Sequence, residues 1–424
     1  MKVLIVGSGG REHALAWKLS QSPGLTKLYA APGNPGIASV AECVPIKADA
    51  ISDLVAFAER ERVDLTVVGP ELPLTLGIAD AFQERKLPCF GPTRDAARIE
   101  SSKAFAKALM TEHGIPTARA RSFTSPTEAA RYVQSVGPPL VVKADGLAAG
   151  KGVTVCRDEA SALEAIEQMM IKKIFGAAGE TVVIEERLEG EEASFFALTD
   201  GVQVLPLDAA QDHKAVFDGD RGPNTGGMGA YSPAPSVSES LANEVMDRVV
   251  TGTVRALAGA GHPYRGLLYA GLMLTASGPK VLEFNARFGD PETQPLLLRM
   301  EDDLLPLLYA AAVGEPLPKS LRFRREAAVC VVLASGGYPG EYATGRPISG
   351  IEAAQAISGV VVFHAGTALG DDTLLTAGGR VLGVTALGGT IGIAIERVYE
   401  AVSKIHFDGM HYRSDIGRRA IGGA

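Results

Sequence analysis

The 424-residue chain lacks several features that would place it in a specialised class. No segment offers the roughly 18 consecutive apolar residues needed to cross a bilayer. The apolar run at residues 3–6, directly after Met1-Lys2, is too short for the core of a signal peptide. Cysteine is sparse: Cys43, Cys89, Cys156 and Cys330 are scattered and form no C-x-x-C pair. That excludes a disulfide scaffold or zinc ribbon and points to reduced thiols, mostly buried. The seven histidines are scattered too, so a His-based zinc site has no support. No basic tract occurs, and the formal net charge is −8, which argues against a nucleic-acid partner. A soluble, cytoplasmic protein with no membrane or nucleic-acid partner is expected.

What remains is an ordinary globular composition, 46% hydrophobic and 21% charged. The length exceeds what one hydrophobic core supports, so two to four domains are expected. The 49 glycines and 25 prolines imply many loops where a backbone can approach a ligand closely.

Up to about residue 100, short apolar strands alternate with helices. Strands are expected at 3–6, 27–30, 65–68 and 88–90, and helices at 12–20, 51–61 and 76–85. Alternation of this kind implies a parallel sheet, with ligands at the carboxyl ends of its strands. Those ends carry Gly7-Ser8-Gly9-Gly10, Gly33-Asn34-Pro35-Gly36, Gly69-Pro70-Glu71 and Gly91-Pro92-Thr93. Ser101-Ser102-Lys103 reads as a helix start. A small α/β unit follows at 120–190, with strands at 140–143, 153–156 and 181–185 and a helix from Ser161. Residues 211–232 read as a long polar loop. A β-rich pattern begins at Ala327, with strands at 329–334, 360–364 and 380–386, beyond the charged run 322–326.

Five motifs carry chemistry. The first loop half-matches the dinucleotide fingerprint, but Glu12 stands at the third glycine and no acid ends the second strand, so NAD binding is the weaker reading. A helix N-terminus beside Arg11 still suits a phosphate; a plain tight turn is the alternative. The second motif runs from Lys143 through Asp145-Gly146 to Gly150-Lys151-Gly152. It is not a Walker A loop, yet it lies between two strands and its amides could fold over phosphates, with Lys143 adding a point charge. A bare surface hairpin is the alternative. In the third, strand periodicity puts Glu283, Asn285 and Arg287 on one face and Leu282, Phe284 and Ala286 in a core. A carboxylate beside an amide oxygen is a hard-oxygen pair suited to Mg²⁺. The fourth is Gln211-Asp212-His213-Lys214 with the glycine-dense stretch 218–229, functional loop or plain loop tip alike. The fifth, 182–188, could bind adenine by its backbone, although many strands end in Glu.

In this order, the residues resemble the ATP-grasp superfamily: Lys103, then Lys143 with its glycine-rich loop, an adenine linker at 185–188, and the metal strand. Within it the chain is similar to the glycinamide ribonucleotide synthetase family, through 7–14, 143–153, 211–214, 222–229 and the unbroken run Arg287-Phe288-Gly289-Asp290-Pro291-Glu292-Thr293-Gln294. The resemblance implies an N-terminal parallel-sheet, Rossmann-like α/β domain (1–102), an ATP-grasp fold (103–324, with a lid at about 120–190) and a β-rich C-terminal domain (325–424).

It also implies the activity. Glycine would attack the γ-phosphate of ATP, and the acyl phosphate would be captured by 5-phosphoribosylamine, giving glycinamide ribonucleotide, ADP and phosphate. On this resemblance Lys103, Lys143, Gly146, Gly150, Lys151, Gly152, Glu185, Glu186, Leu188 and Glu192 bind ATP. Glu283 and Asn285 hold Mg²⁺ or Mn²⁺. Gly9, Gly10, Arg11, Asn34, Glu71, Asp290, Pro291 and Glu292 line the phosphoribosylamine site, and Asp212, Lys214 and Arg287 stand near the reacting carboxylate. A monomer is expected rather than a stable oligomer. The strand before the metal strand, 268–273, carries no carboxylate, unlike many ATP-grasp enzymes. Another ATP-grasp carboxylate–amine ligase is the alternative.

Overall fold

The computed structural model describes residues 1–148 and 151–422. The first sheet holds β1 (Lys2–Gly7), β2 (Lys27–Pro32), β3 (Glu42–Cys43), β4 (Leu65–Val68) and β5 (Cys89–Phe90), all parallel, in the order β3-β2-β1-β4-β5. β1 is buried along almost its whole length, which its continuous Val-Leu-Ile-Val run requires of a strand covered on both faces. The helix expected over 76–85 is two short ones, Glu71–Thr75 and Ile78–Glu84. Gly77, at φ +89°, breaks it; a Cβ there would stand 2.9 Å from the Arg94 guanidinium, which itself donates to the Leu76 carbonyl.

Helix Arg94–Ser101 leads into Lys103–Glu112, whose N-cap Ser102 accepts from the Phe105 amide. The small unit that follows is an antiparallel sheet of β6 (Ala120–Phe123), β7 (Leu140–Ala144), β8 (Val153–Cys156) and β9 (Val182–Glu186), ordered β6-β9-β7-β8. Its helix starts at Glu159, not Ser161, because Asp158 caps the Ser161 amide.

Next in the chain come β10 (Glu191–Thr199), β11 (Val204–Pro206), β12 (Gln211–Asp212), β13 (Ala215–Phe217), β14 (Arg221–Asn224), β15 (Gly229–Ser232), β16 (Gly266–Thr275) and β17 (Gly278–Asn285). β11-β10-β16-β17 form an antiparallel sheet. The stretch 211–232 is therefore not a loop. β13 and β14 make a hairpin, and β12 and β15 enter the sheet of the C-terminal region. Tyr231, fully buried in β15, and Arg413, whose guanidinium donates to the Ala215 carbonyl and Asp220, hold this polar stretch in place.

The C-terminal strands are β18 (Ala327–Ser335), β19 (Val360–His364), β20 (Thr367–Gly370), β21 (Thr373–Thr376), β22 (Arg380–Gly388) and β23 (Met410–His411). The path β12-β15-β18-β22-β19 runs across one sheet, with β23 beside β18. Cores join the regions: Leu4 and Tyr29 of the first sheet share a cluster with Phe195 and Phe284. Among the described residues no helix is long and apolar enough to cross a membrane. All four cysteines are free; Cys156 and Cys330 are buried, Cys43 and Cys89 half-buried.

Candidate active site

The first sheet, the β6-β9-β7-β8 sheet (labelled the lid sheet), β16–β17 and the C-terminal sheet open onto one cleft of about 1050 Å³. At its lid end, β7 delivers Lys143 and β9 delivers Glu185. Lys143 Nζ lies 3.0 Å from Glu185 Oε2 and donates to the Leu282 carbonyl at 3.1 Å. Lys107 shares the same carboxylate oxygen at 3.2 Å and donates to Thr117 Oγ1 at 2.6 Å. All three charged side chains are nearly inaccessible, so each needs its partner. Burial pushes the Lys107 ammonium down to about 8, with Glu185 pulling it back. Burial also lowers Lys103, whose Nζ donates to the carbonyls of Gly146 (3.2 Å) and Asp145 (3.5 Å) at the root of the glycine-rich loop. The Asp145 carboxylate in turn binds Ser102 Oγ and the Ala104 amide, which ties the lid to the helix that carries Lys103.

Strand β17 departs from strict alternation. Val281 pairs with Leu272 and Glu283 with Gly271, so Leu282 bulges. It is therefore not a core residue: it is half-buried and lines the cleft beside Glu283 and Asn285, while Phe284 and Ala286 are buried as expected. The strand ends at Asn285, and Arg287 lies past it. Opposite Asn285 stands Tyr269, and opposite Glu283 stands Gly271, so the neighbouring strand adds no carboxylate here. Among the described residues no group of three His, Cys, Asp or Glu side chains could hold a metal. The donor set of one carboxylate and one amide fits a hard cation that keeps phosphate oxygens as further ligands.

The far end is a web of ion pairs. Lys214 Nζ sits 2.8 Å from Glu192 and 3.1 Å from Asp212. Burial pushes the Asp212 carboxyl up to about 6, against the pull of Lys214 and with the help of Glu292. Burial would lower Lys214, but Asp212 and Glu192 hold it well above its ordinary value. Lys214 in turn keeps Glu192 low. Glu292 Oε1 accepts from Tyr269 Oη at 2.7 Å and from Ser194 Oγ at 3.4 Å. Arg287 is caged by Glu71 (3.4 Å) and Glu100 (3.2 Å), and Glu100 also accepts the Ala286 amide at 2.7 Å. Burial raises the Glu100 carboxyl despite Arg287; at Glu71 burial opposes, but Arg287 and Arg11 win and lower it.

Most of the residues singled out from sequence meet in this cleft: Arg11, Glu71, Lys103, Lys143, Lys151, Gly152, Glu185, Glu186, Leu188, Glu192, Asp212, Lys214, Glu283, Asn285, Arg287, Asp290 and Glu292 line it. Gly9, Gly10, Asn34, Gly146 and Pro291 do not. Gly150 lies outside the described residues. One amide of the first loop is already engaged. The Gly9 N–H is taken by Glu12 Oε2 at 2.5 Å, and Glu12 fills the space that Gly7 and Gly69 leave. A carboxylate of the chain itself occupies the helix N-terminus where a dinucleotide phosphate would bind. Asn34 Nδ2 donates to the carbonyls of Ser8 and His364, fastening the second loop to the C-terminal region. Sequence reasoning missed Lys107, Glu100, Tyr269 and Arg380. Only Lys107 left a local signal: it lies four residues after Lys103, one turn along the same helix.

Three family models match this chain in succession: phosphoribosylglycinamide synthetase N domain over 1–100, ATP-grasp (A) domain over 101–293 and C domain over 328–419. The chain belongs to the phosphoribosylglycinamide synthetase family. It is 52% identical over 421 residues to a phosphoribosylamine–glycine ligase of Rhizobium meliloti, and 55% identical over 424 to that of Allochromatium vinosum, with 99% of each chain covered in both cases. The solved phosphoribosylamine–glycine ligase of Thermotoga maritima is 33% identical, with a TM-score of 0.85 over 98% of this chain and all of that one. A biotin carboxylase domain from Hydrogenobacter thermophilus, at 16% identity and a TM-score of 0.74 over 97% and 91% of the two chains, shares the fold alone. The chain is thus an ATP-dependent ligase of purine biosynthesis, built as a parallel-sheet unit, an ATP-grasp unit and a β-rich C-terminal unit.

Proposed function

We propose that the cleft ligates glycine to 5-phosphoribosylamine, with ATP at the lid end and the two other substrates at the ion-pair end. The observation that carries this reading is the meeting, in one cavity, of Lys103, Lys143, Glu283 and Asn285 with Asp212, Lys214, Arg287 and Glu292. We divide the chain into three units, 1–102, 103–324 with a lid at about 120–190, and 325–424; β12 and β15 of the second pair into the sheet of the third.

Phosphoryl transfer depends mainly on positioning and on neutralising phosphate charge. Lys103 and Lys143 supply fixed positive charge at the lid end, and Glu185 with Lys107 holds Lys143 in place. Glu185, Glu186 and Leu188 border the adenine, and Gly146, Lys151 and Gly152 belong to the loop over the phosphates. Glu283 and Asn285 would hold Mg²⁺ or Mn²⁺, which supplies charge neutralisation at the phosphates when bound. The distant biotin carboxylase domain was solved with MgADP, which favours Mg²⁺.

At the other end Lys214 and Arg287 face the glycine carboxylate, and the excess of carboxylates suits the amino groups of both substrates. Asp212, ionised above about pH 6, accepts the proton released when the phosphoribosylamine nitrogen attacks the glycyl phosphate. Arg11, Glu71, Asp290 and Glu292 surround phosphoribosylamine, with Gly9, Gly10, Asn34 and Pro291 forming the wall behind them. Closure of the lid keeps water from the acyl phosphate. The protein acts as a cytoplasmic monomer.

The test is ADP release from the full-length protein. ADP should form only with glycine and phosphoribosylamine together. Equal ADP formation with formate or bicarbonate, and none with glycine, would overturn the assignment in favour of another carboxylate–amine ligase.

A further inference from the structure

Arg380 opens β22, almost a hundred residues beyond the last ATP-grasp motif, yet its guanidinium reaches the cleft. Nη1 donates to the Gly226 carbonyl at 2.6 Å and the Asp290 carbonyl at 2.7 Å, with the Gly227 carbonyl at 3.5 Å. Nη2 reaches Asp290 Oδ2 at 3.2 Å. The other Asp290 oxygen accepts from Gln294 Nε2 at 2.9 Å. Asp290 also abuts the first loop: a Cβ on Gly9 or Gly10 would lie 3.5 or 3.6 Å from its carboxylate oxygens.

The glycine pair at 226–227 exists for this junction. A Cβ on Gly226 would stand 3.0 Å from Arg380 Cζ, and one on Gly227 would stand 2.4 Å from Pro291 Cδ, at a backbone φ of +110°. Two loops from different parts of the ATP-grasp unit thus lie back to back, and one side chain from the C-terminal unit bonds to both. A planar fork can hold two carbonyls and a carboxylate at once; an ammonium cannot do so with the same geometry.

We propose that Arg380 is a positioning residue for the acceptor end: it locks the 226–227 loop to the 290–291 loop so that Arg11, Glu71 and Glu292 present a fixed surface to phosphoribosylamine. This rests on the acceptor-end assignment above. It gives the C-terminal unit a part in the reaction while leaving the ATP end untouched, since Lys103, Lys143, Glu283 and Asn285 have no bond to Arg380.

The experiment compares Arg380→Ala, Arg380→Lys and Arg11→Met in the full-length protein, with phosphoribosylamine generated in place. Arg380→Ala should lower kcat/KM for phosphoribosylamine at least about tenfold and leave KM for ATP within about twofold. Arg380→Lys should recover part of the loss. Equal rises in KM for ATP and phosphoribosylamine would make Arg380 a general structural residue and overturn the inference. So would an unchanged kcat/KM for phosphoribosylamine. If Arg380→Ala does not fold, Arg380→Lys decides by the same split, at about threefold or more for phosphoribosylamine alone. Arg11→Met separates the two readings. Loss there with none in the Arg380 variants sinks this inference alone; no loss there sinks the acceptor-end assignment and the inference with it.

Discussion

The two ends of the cleft are built on different plans. The lid end takes its charges from short stretches of chain: Lys103 and Lys107 from one helix turn, Lys143 and Glu185 from adjacent strands of one sheet. Its bonds run mostly to backbone carbonyls and to a single carboxylate. The acceptor end draws Arg11 and Glu71 from the first sheet, Glu100 from a linking helix, Asp212 and Lys214 from β12 and the turn after it, Glu292 from beyond β17, and Arg380 from the C-terminal sheet. There Lys214, Arg287 and Arg380 each reach a carboxylate from another part of the chain, while Arg11 pairs with its neighbour Glu12. On the division of the cleft proposed above, the nucleotide is met by a compact device, and the substrates that distinguish this family by a surface that exists only when the whole chain has folded.

That contrast can be broken most severely at the lid end. Glu283→Gln removes a carboxylate from the phosphate region, and turnover should fall on the order of 100-fold or more. Because Glu283 is half-buried and makes no ion pair among the described residues, the thermal midpoint should change little. Global unfolding instead would make Glu283 structural. At the acceptor end, Asp212→Asn should cost on the order of 100-fold in kcat. The parent rate should fall as pH drops through about 6, when Asp212 takes up a proton, and the variant should lose that acid limb. An unaltered pH profile in the variant would assign the proton elsewhere.

A smaller effect sharpens the same contrast. Glu100→Gln keeps the acceptor for the Ala286 amide but removes one of the two carboxylates around Arg287. It should raise KM for glycine or phosphoribosylamine about tenfold and leave KM for ATP unchanged. The smallest expected change lies behind the site. Asp220 is held below the usual carboxylate range by His213, then by Arg413 and Arg419. A carboxylate with a lowered folded pKa stabilises the fold above its unfolded value of about 3.9 and loses that contribution as pH falls. The thermal midpoint of the parent should drop below about pH 4. Asp220→Asn should start lower at pH 7 and show a shallower acid drop, with kcat reduced only slightly.

The same division explains what could be read from the residues alone. That Lys103, Lys143, Glu283 and Asn285 share one cleft was legible, because their order along the chain carries the resemblance. The run Arg287–Gln294 was legible as a family resemblance, yet its bonding was not. Nothing near Glu100 or Arg380 in sequence says that one cages Arg287 and the other clamps Asp290, since both contacts span long separations. The polar stretch 211–232 misled for a related reason. Its β13–β14 hairpin is secured from 411–419, through His411, Arg413 and Ser414, and β15 is covered by β18. Local composition could report only its polarity. The bulge at Leu282 is a third case: strand periodicity assigns faces correctly until pairing with a neighbour shifts the register.

The claim that the two ends bind separately is tested most directly by equilibrium titration of ADP with Mg²⁺ and of glycinamide ribonucleotide against Lys143→Met and Arg11→Met. Lys143→Met should weaken ADP at least about tenfold and leave glycinamide ribonucleotide within about twofold, and Arg11→Met should show the reverse. Loss of both ligands in either variant, or loss of ADP alone from Arg11→Met, would contradict a cleft divided in this way.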